Sequence, residues 1–99
     1  MSGLADAIAG DARLFMLKEL VAQVDGRLNV ILLQRILETR YGIGRSREWV
    51  ETQLHKLREL DAVELIESAV LIAQITRPGR DHVAARSIIA GVTRPAEVE

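Results

Sequence analysis

The side chains with the most chemical potential in this 99-residue chain are cations set among hydrogen-bonding groups. Between residues 40 and 60, Arg40, Arg45, Arg47, Lys56 and Arg58 stand against Glu48, Glu51 and Glu59, a local charge of +2. Ser46, Thr52 and His55 lie in the same stretch and can exchange hydrogen bonds with a polar ligand. A second basic group, Arg77, Arg80 and Arg86 against Asp81, is also +2, while Asp61, Glu64 and Glu67 between the two give -3. Over the whole chain 13 Lys and Arg oppose 14 Asp and Glu, for a net charge of -1. The molecule is therefore not a generic polyanion binder, and any nucleic-acid contact must be local.

Other chemistry finds less support. Glu51, His55 and Glu59 recur every four residues, so one side of a helix could present three metal ligands, but a solvated face with i,i+4 pairing is the simpler reading. The chain has no cysteine, which excludes disulfides, thiolate ligation and Cys nucleophiles. No nucleophile has a positioned base, Gly42 and Gly44 do not extend to a phosphate-binding loop, and no two carboxylates share an apolar setting. His82 has no partner in the sequence. We expect no enzyme, no cofactor and no metal.

The elements that must position these groups are legible from apolar spacing. With 48% hydrophobic and 27% charged residues the chain reads as one globular domain, and with only Phe15, Tyr41 and Trp49 aromatic its core must be aliphatic. Leu14, Leu17, Val21 and Val24 predict a first helix over 11–24, closed at Asp25-Gly26. Asn29 is a helix cap, with Leu28 and Leu33 spaced as a hydrophobic staple, and a second helix runs to about Arg40 burying Val30, Leu33, Ile36 and Leu37. After a glycine turn over 41–46, Ser46 caps a third helix to Leu60 whose buried stripe is Val50, Leu54 and Leu57. Residues 62–67 and 69–76 predict a β-hairpin turning at Glu67-Ser68. Thr76 then caps a last helix that starts at Arg77-Pro78, uses Val83, Ala84 and Ile88 as its apolar side, and ends at Gly91. Thr93 to Glu99 read as a frayed tail.

Three helices with a short turn between the second and third, then a hairpin and a final helix, is an order that resembles a winged helix-turn-helix domain. The resemblance is carried by residues 29–61, by Leu57-Arg58-Glu59-Leu60-Asp61-Ala62-Val63-Glu64-Leu65 leading into the hairpin, and by Ile75-Thr76-Arg77-Pro78-Gly79-Arg80-Asp81 closing it. The chain is similar to the small ArsR-type winged-helix proteins of Mu-like prophages. That resemblance implies an α+β, mainly α fold and a DNA-binding transcription regulator of phage type with its third helix in the major groove. Family members that sense metals use thiolates, which this chain lacks. The implied DNA contacts are Arg45, Ser46 and Arg47 at the start of the third helix, Thr52, His55 and Lys56 along it, and Arg77 and Arg80 on the flanking backbone. The outward face, with Glu48, Glu51 and Glu59, is mixed in charge, and the acidic hairpin would be repelled by phosphate. A winged helix that serves instead as a protein-interaction or assembly module is the alternative, with Trp49 or the acidic hairpin as the contact. For Trp49 the simpler reading is a roof over the core.

The expected organisation is an N-terminal segment over 1–10, the winged-helix domain over 11–90 and a C-terminal tail over 91–99. Leu4, Ile8, Ile88, Ile89 and Val92 add apolar surface that either folds back or builds a homodimer, which would set two recognition helices against double-stranded DNA. The longest apolar run, Ala69 to Ala73, is far short of a membrane span, and the start of the chain lacks the pattern of a cleaved signal. A cytoplasmic protein is expected.

Overall fold

The computed structural model describes residues 3–98; Met1 and Ser2 of the expected N-terminal segment and Glu99 of the expected tail lie outside the described residues. Among them are four helices, α1 (Leu4–Val21), α2 (Val30–Tyr41), α3 (Arg47–Glu59) and α4 (Arg77–Val83), and three strands, β1 (Arg27–Asn29), β2 (Val63–Ile66) and β3 (Ile72–Ile75). The strands form one antiparallel sheet in the order β1-β3-β2. This is an α+β, mainly helical architecture, compatible with a winged-helix layout.

Helix α1 starts seven residues earlier than apolar spacing predicts, because Leu4 to Gly10 is rich in alanine, the strongest helix former. It also stops earlier, at Val21, and Val24 is fully exposed. The cause is the sheet: Gly26 takes a left-handed φ of 69° and its carbonyl accepts the Ile75 N–H, which pulls the chain away from the helix axis. Strand β1, which the sequence reading lacks, follows directly, with Arg27 opposite Gln74 and Asn29 opposite Ile72.

The two helices that follow obey their local signals. Asn29 Oδ1 accepts the Leu32 N–H at 2.9 Å, and Leu28 packs on the core as the staple requires. Gly42, at φ 72°, ends α2 and lets the Ile43 N–H reach the Leu37 carbonyl. Ser46 Oγ accepts the Trp49 N–H at 3.1 Å, and Val50, Leu54 and Leu57 are buried. At the end of α3, Asp61 turns left-handed while Asp61 and Ala62 donate back to Arg58 and Leu57, a Schellman close.

Three expectations fail in the second half. The hairpin pairs Val63 with Ile75 and Ile66 with Ile72, so residues 67–71 form a loop longer than a turn at Glu67-Ser68, and Ala69 and Val70 are not strand. Leu71 is drawn inward instead, and its carbonyl accepts the Val30 N–H at the start of α2. Helix α4 is capped by Thr76 as expected but ends at Val83, not Gly91. There Ala85 adopts φ 60°, and the N–H groups of Ala85 and Arg86 return to His82 and Asp81, a second Schellman close. Ala84 and Ile88 are consequently exposed and do not form an apolar helix side.

Nor do residues 93–98 read as frayed once they are seen against α1. Thr93 N–H donates to Gly10, Thr93 Oγ1 donates to Asp11 Oδ1 at 2.7 Å, and Val92 and Val98 pack on the core. That core is aliphatic, as composition requires, and unites Leu17 and Leu20 of α1, Leu33 of α2, Leu54 of α3 and Ile75 of β3. At its edge the rings of Phe15 and Tyr41 stack with centroids 4.1 Å apart. Glu19, only 7% exposed, accepts from Arg40 Nη1 at 2.7 Å and from the Tyr41 hydroxyl at 2.6 Å, tying α1 to α2.

Candidate nucleic-acid interface

The stripe of Val50, Leu54 and Leu57 anchors α3 to the core, which leaves Glu48, Thr52, Lys56 and Glu59 exposed on its other side. Of the expected contact residues, Arg45 is exposed and lies over Trp49, its guanidinium carbon 5.6 Å from the ring centroid, a cation–π distance. Arg47 is half-exposed and its Nε lies 3.3 Å from Glu51 Oε2, one turn along the helix. Ser46 spends its hydroxyl on the cap, and the Thr52 hydroxyl donates to the Glu48 carbonyl at 3.0 Å. His55 is half-buried and Lys56 is exposed. Arg47 and Lys56 are about 14 Å apart along the helix but nine residues, about half a turn, apart around it, so they border the exposed strip of Glu48, Thr52 and Glu59 from opposite sides. The turn before the strip is held to α2 by Gln34 Nε2, which donates to the Arg45 carbonyl.

Arg77 and Arg80 do not join this strip. Thr76 Oγ1 donates to the Asp61 carbonyl and the Thr76 N–H to Ala62, which sets the start of α4 against the C-terminal end of α3. The thirteen residues of α3 put about 20 Å between its two ends. The Arg80 guanidinium instead lies beside Gly26, where an added Cβ would meet its Nη2 at 2.9 Å. The expected set is thus divided into a group at the start and middle of α3 and a pair beyond its end. Beside that pair, an open groove is lined by Arg58, Asp61, Glu64 and Pro78.

Trp49 packs partly buried against the core and also carries Arg45, so it serves as a roof with one face left to solvent. The carboxylates of Glu64 and Glu67 are exposed on the hairpin. Glu51 is engaged by Arg47, and no three His, Asp or Glu side chains among the described residues are grouped to hold a metal ion. The apolar ends divide: Val92 is buried and Ile89 packs on the core, while Leu4 and Ile88 remain largely exposed. No helix among the described residues is long and apolar enough to cross a membrane.

One set of residues that positions α3 escapes the sequence reading. Gln53 is buried, and its Oε1 accepts from Arg13 Nε at 2.8 Å, while Arg13 Nη1 donates to the Gly91 carbonyl at 2.7 Å. Burial lowers the Arg13 pKa, with Asp6 acting in the opposite direction. A single side chain from α1 therefore joins α3 to the C-terminal segment. The available signal was Gln53 itself, a polar residue beside Leu54 and between Val50 and Leu57. A polar group at that place needs a buried partner. No family model, curated protein or solved structure matches this chain, so the reading of the interface rests on its own residues.

Proposed function

We propose that this chain is a winged-helix DNA-binding protein, a transcription regulator of phage type that lays α3 in a major groove, and that it binds as a homodimer. The observation that carries the reading is the start of α3, where a capped helix N-terminus is flanked by Arg45, exposed over Trp49, and by the half-exposed Arg47, with Lys56 exposed farther along. Free N–H groups at a helix N-terminus favour phosphate, and guanidinium groups beside them add charge and bidentate hydrogen bonds. The order α1-β1-α2-α3-β2-β3, with β1 added to the hairpin, is the layout this docking needs. The acidic hairpin keeps the contact on α3 and away from the wing. Arg77 and Arg80 then serve the flanking backbone only where the DNA extends past the end of α3.

Anisotropy titration of a labelled duplex at about 50 and about 200 mM salt tests the reading. Three cations in each protomer of a bound homodimer give a slope of log K against log salt of about -5.4, and changing Arg45 and Arg47 to Ala removes roughly 3.6 of it. Trp49 emission should change on binding, because Arg45 leaves the indole. A folded protein that binds no duplex at low salt refutes the proposal.

A second reading has its own support. Ile31 and Leu32, both 39% exposed, stand in the first turn of α2. Leu32 borders a shallow groove with Ile72, whose strand belongs to the acidic hairpin. An apolar patch beside carboxylates suits a protein partner, and an interaction module of this kind would be indifferent to the loss of Arg45 and Arg47.

A further inference from the structure

We propose that residues 84–98 form a latch that docks onto α1 only while the His82 ring is neutral, so that the C-terminal segment is released as pH falls. His82 is fully buried near the end of α4, and both ring nitrogens are bonded to backbone of this segment. The Ile89 N–H donates to Nδ1 at 3.0 Å, so Nδ1 must carry a lone pair. Nε2 lies 2.9 Å from the Thr93 carbonyl oxygen, which can only accept, so Nε2 carries the hydrogen. Together the two bonds demand the neutral Nε2–H tautomer. A second proton on the docked ring would set one N–H against another.

Among the described residues, no neighbouring charge offers the imidazolium a substitute. On α1, Asp11 accepts the Thr93 hydroxyl, Arg13 is committed to Gln53 and Gly91, and Asp6 faces Arg13. On α4, Asp81 is paired with Arg86 at 3.1 Å and Arg80 lies against Gly26. In the segment itself Glu97 accepts the Arg94 N–H. None of these bonds the ring.

The two backbone bonds of the docked ring leave no place for a second proton, so protonation and docking exclude one another. The apparent docking constant therefore falls by up to about tenfold per pH unit as pH drops below the range in which a free imidazole binds a proton. The consequence reaches α3, because undocking removes the Gly91 carbonyl from Arg13, which also holds Gln53. Any effect of the latch on duplex affinity rests on the DNA-binding reading; the docking itself does not.

Amide hydrogen exchange, expressed as protection factors from about pH 7.5 to about pH 5, reads the latch directly. Ile89 and Thr93 should lose roughly thirtyfold in protection across that range while Leu37 and Leu54, in the core helices, hold theirs. His82→Asn keeps an uncharged acceptor near the position of Nδ1 and should abolish the pH response, whereas His55→Gln should leave it intact. If His82→Asn does not fold, the ring nitrogen chemical shifts of the wild-type protein decide, and they should show the Nε2–H tautomer throughout the docked state. Protection at Ile89 and Thr93 that is flat with pH overturns the proposal. So does a pH response that survives in His82→Asn or vanishes in His55→Gln, or a docked ring that carries two protons.

Discussion

Replacing Glu19 by Gln should loosen the joint between α1 and α2 and, in the same variant, shift the titration of Tyr41. Glu19 is nearly buried and accepts from Arg40 at 2.7 Å and from the Tyr41 hydroxyl at 2.6 Å. The Arg40 side chain is 62% exposed, so its pairing contributes less than about 1 kcal/mol. The hydroxyl bond to a buried carboxylate contributes about 1.5–3 kcal/mol, of which the amide oxygen of Gln retains part. The expected loss is about 1.5–2.5 kcal/mol, or roughly 10 °C in Tm for a domain of this size. Burial first, and then the bond to Glu19, push the Tyr41 pKa up to about 12. Because the folded value is the raised one, the associated stability is full below the ordinary pKa near 10 and disappears as pH climbs through about 12. Partial exposure of Tyr41 screens that contribution to about 1 kcal/mol. Tyr41 is the only tyrosine in the chain, so tyrosinate absorbance reports it alone. In Glu19→Gln the midpoint should move part of the way back toward 10, since burial remains. A wild-type midpoint near 10, or a variant in which neither Tm nor the midpoint moves, refutes the account of this joint.

Two further substitutions test the backbone around α4. A Cβ on Gly79 would lie 2.3 Å from the Ala62 carbonyl oxygen and 3.0 Å from Ile75 Cγ1, so Gly79→Ala should cost about 2–3 kcal/mol in urea unfolding despite a gain in helix propensity. Ala85 holds φ 60°, a conformation that disfavours a Cβ by about 1–2 kcal/mol. Ala85→Gly relieves that strain at some expense in chain entropy and should raise Tm slightly, by about 0.5 kcal/mol of stability; a lower Tm would mean that the left-handed turn is not what closes the helix.

The reach of the local signals explains which parts of the fold were legible. Asn29, Ser46 and Thr76 each cap a helix by accepting an N–H three residues ahead, an interaction that needs nothing beyond one turn of chain. The buried stripe of α3 is legible for the same reason, since its period belongs to the helix alone. The end of α4 was not, because the residue that turns left-handed is an alanine, and a glycine farther on at Gly91 offered a more plausible stop. Strand β1 was not, because three residues are too few to show alternation.

By itself the sequence determined an aliphatic core, three well-capped helices, a hairpin, and a charge of +2 over residues 40–60 within a chain of net charge -1. Only the tertiary structure decided which cations share a surface. It separated Arg77 and Arg80 from Arg45 and Arg47 by the length of α3, docked the segment after α4 on α1, and buried His82 beneath it. The bonds responsible join Arg13 to Gly91 across 78 positions and Thr93 to Asp11 across 82. Such pairings depend on how finished elements pack together. Neither partner carries a periodic or neighbouring signal of the other, so they become visible only once the chain has folded.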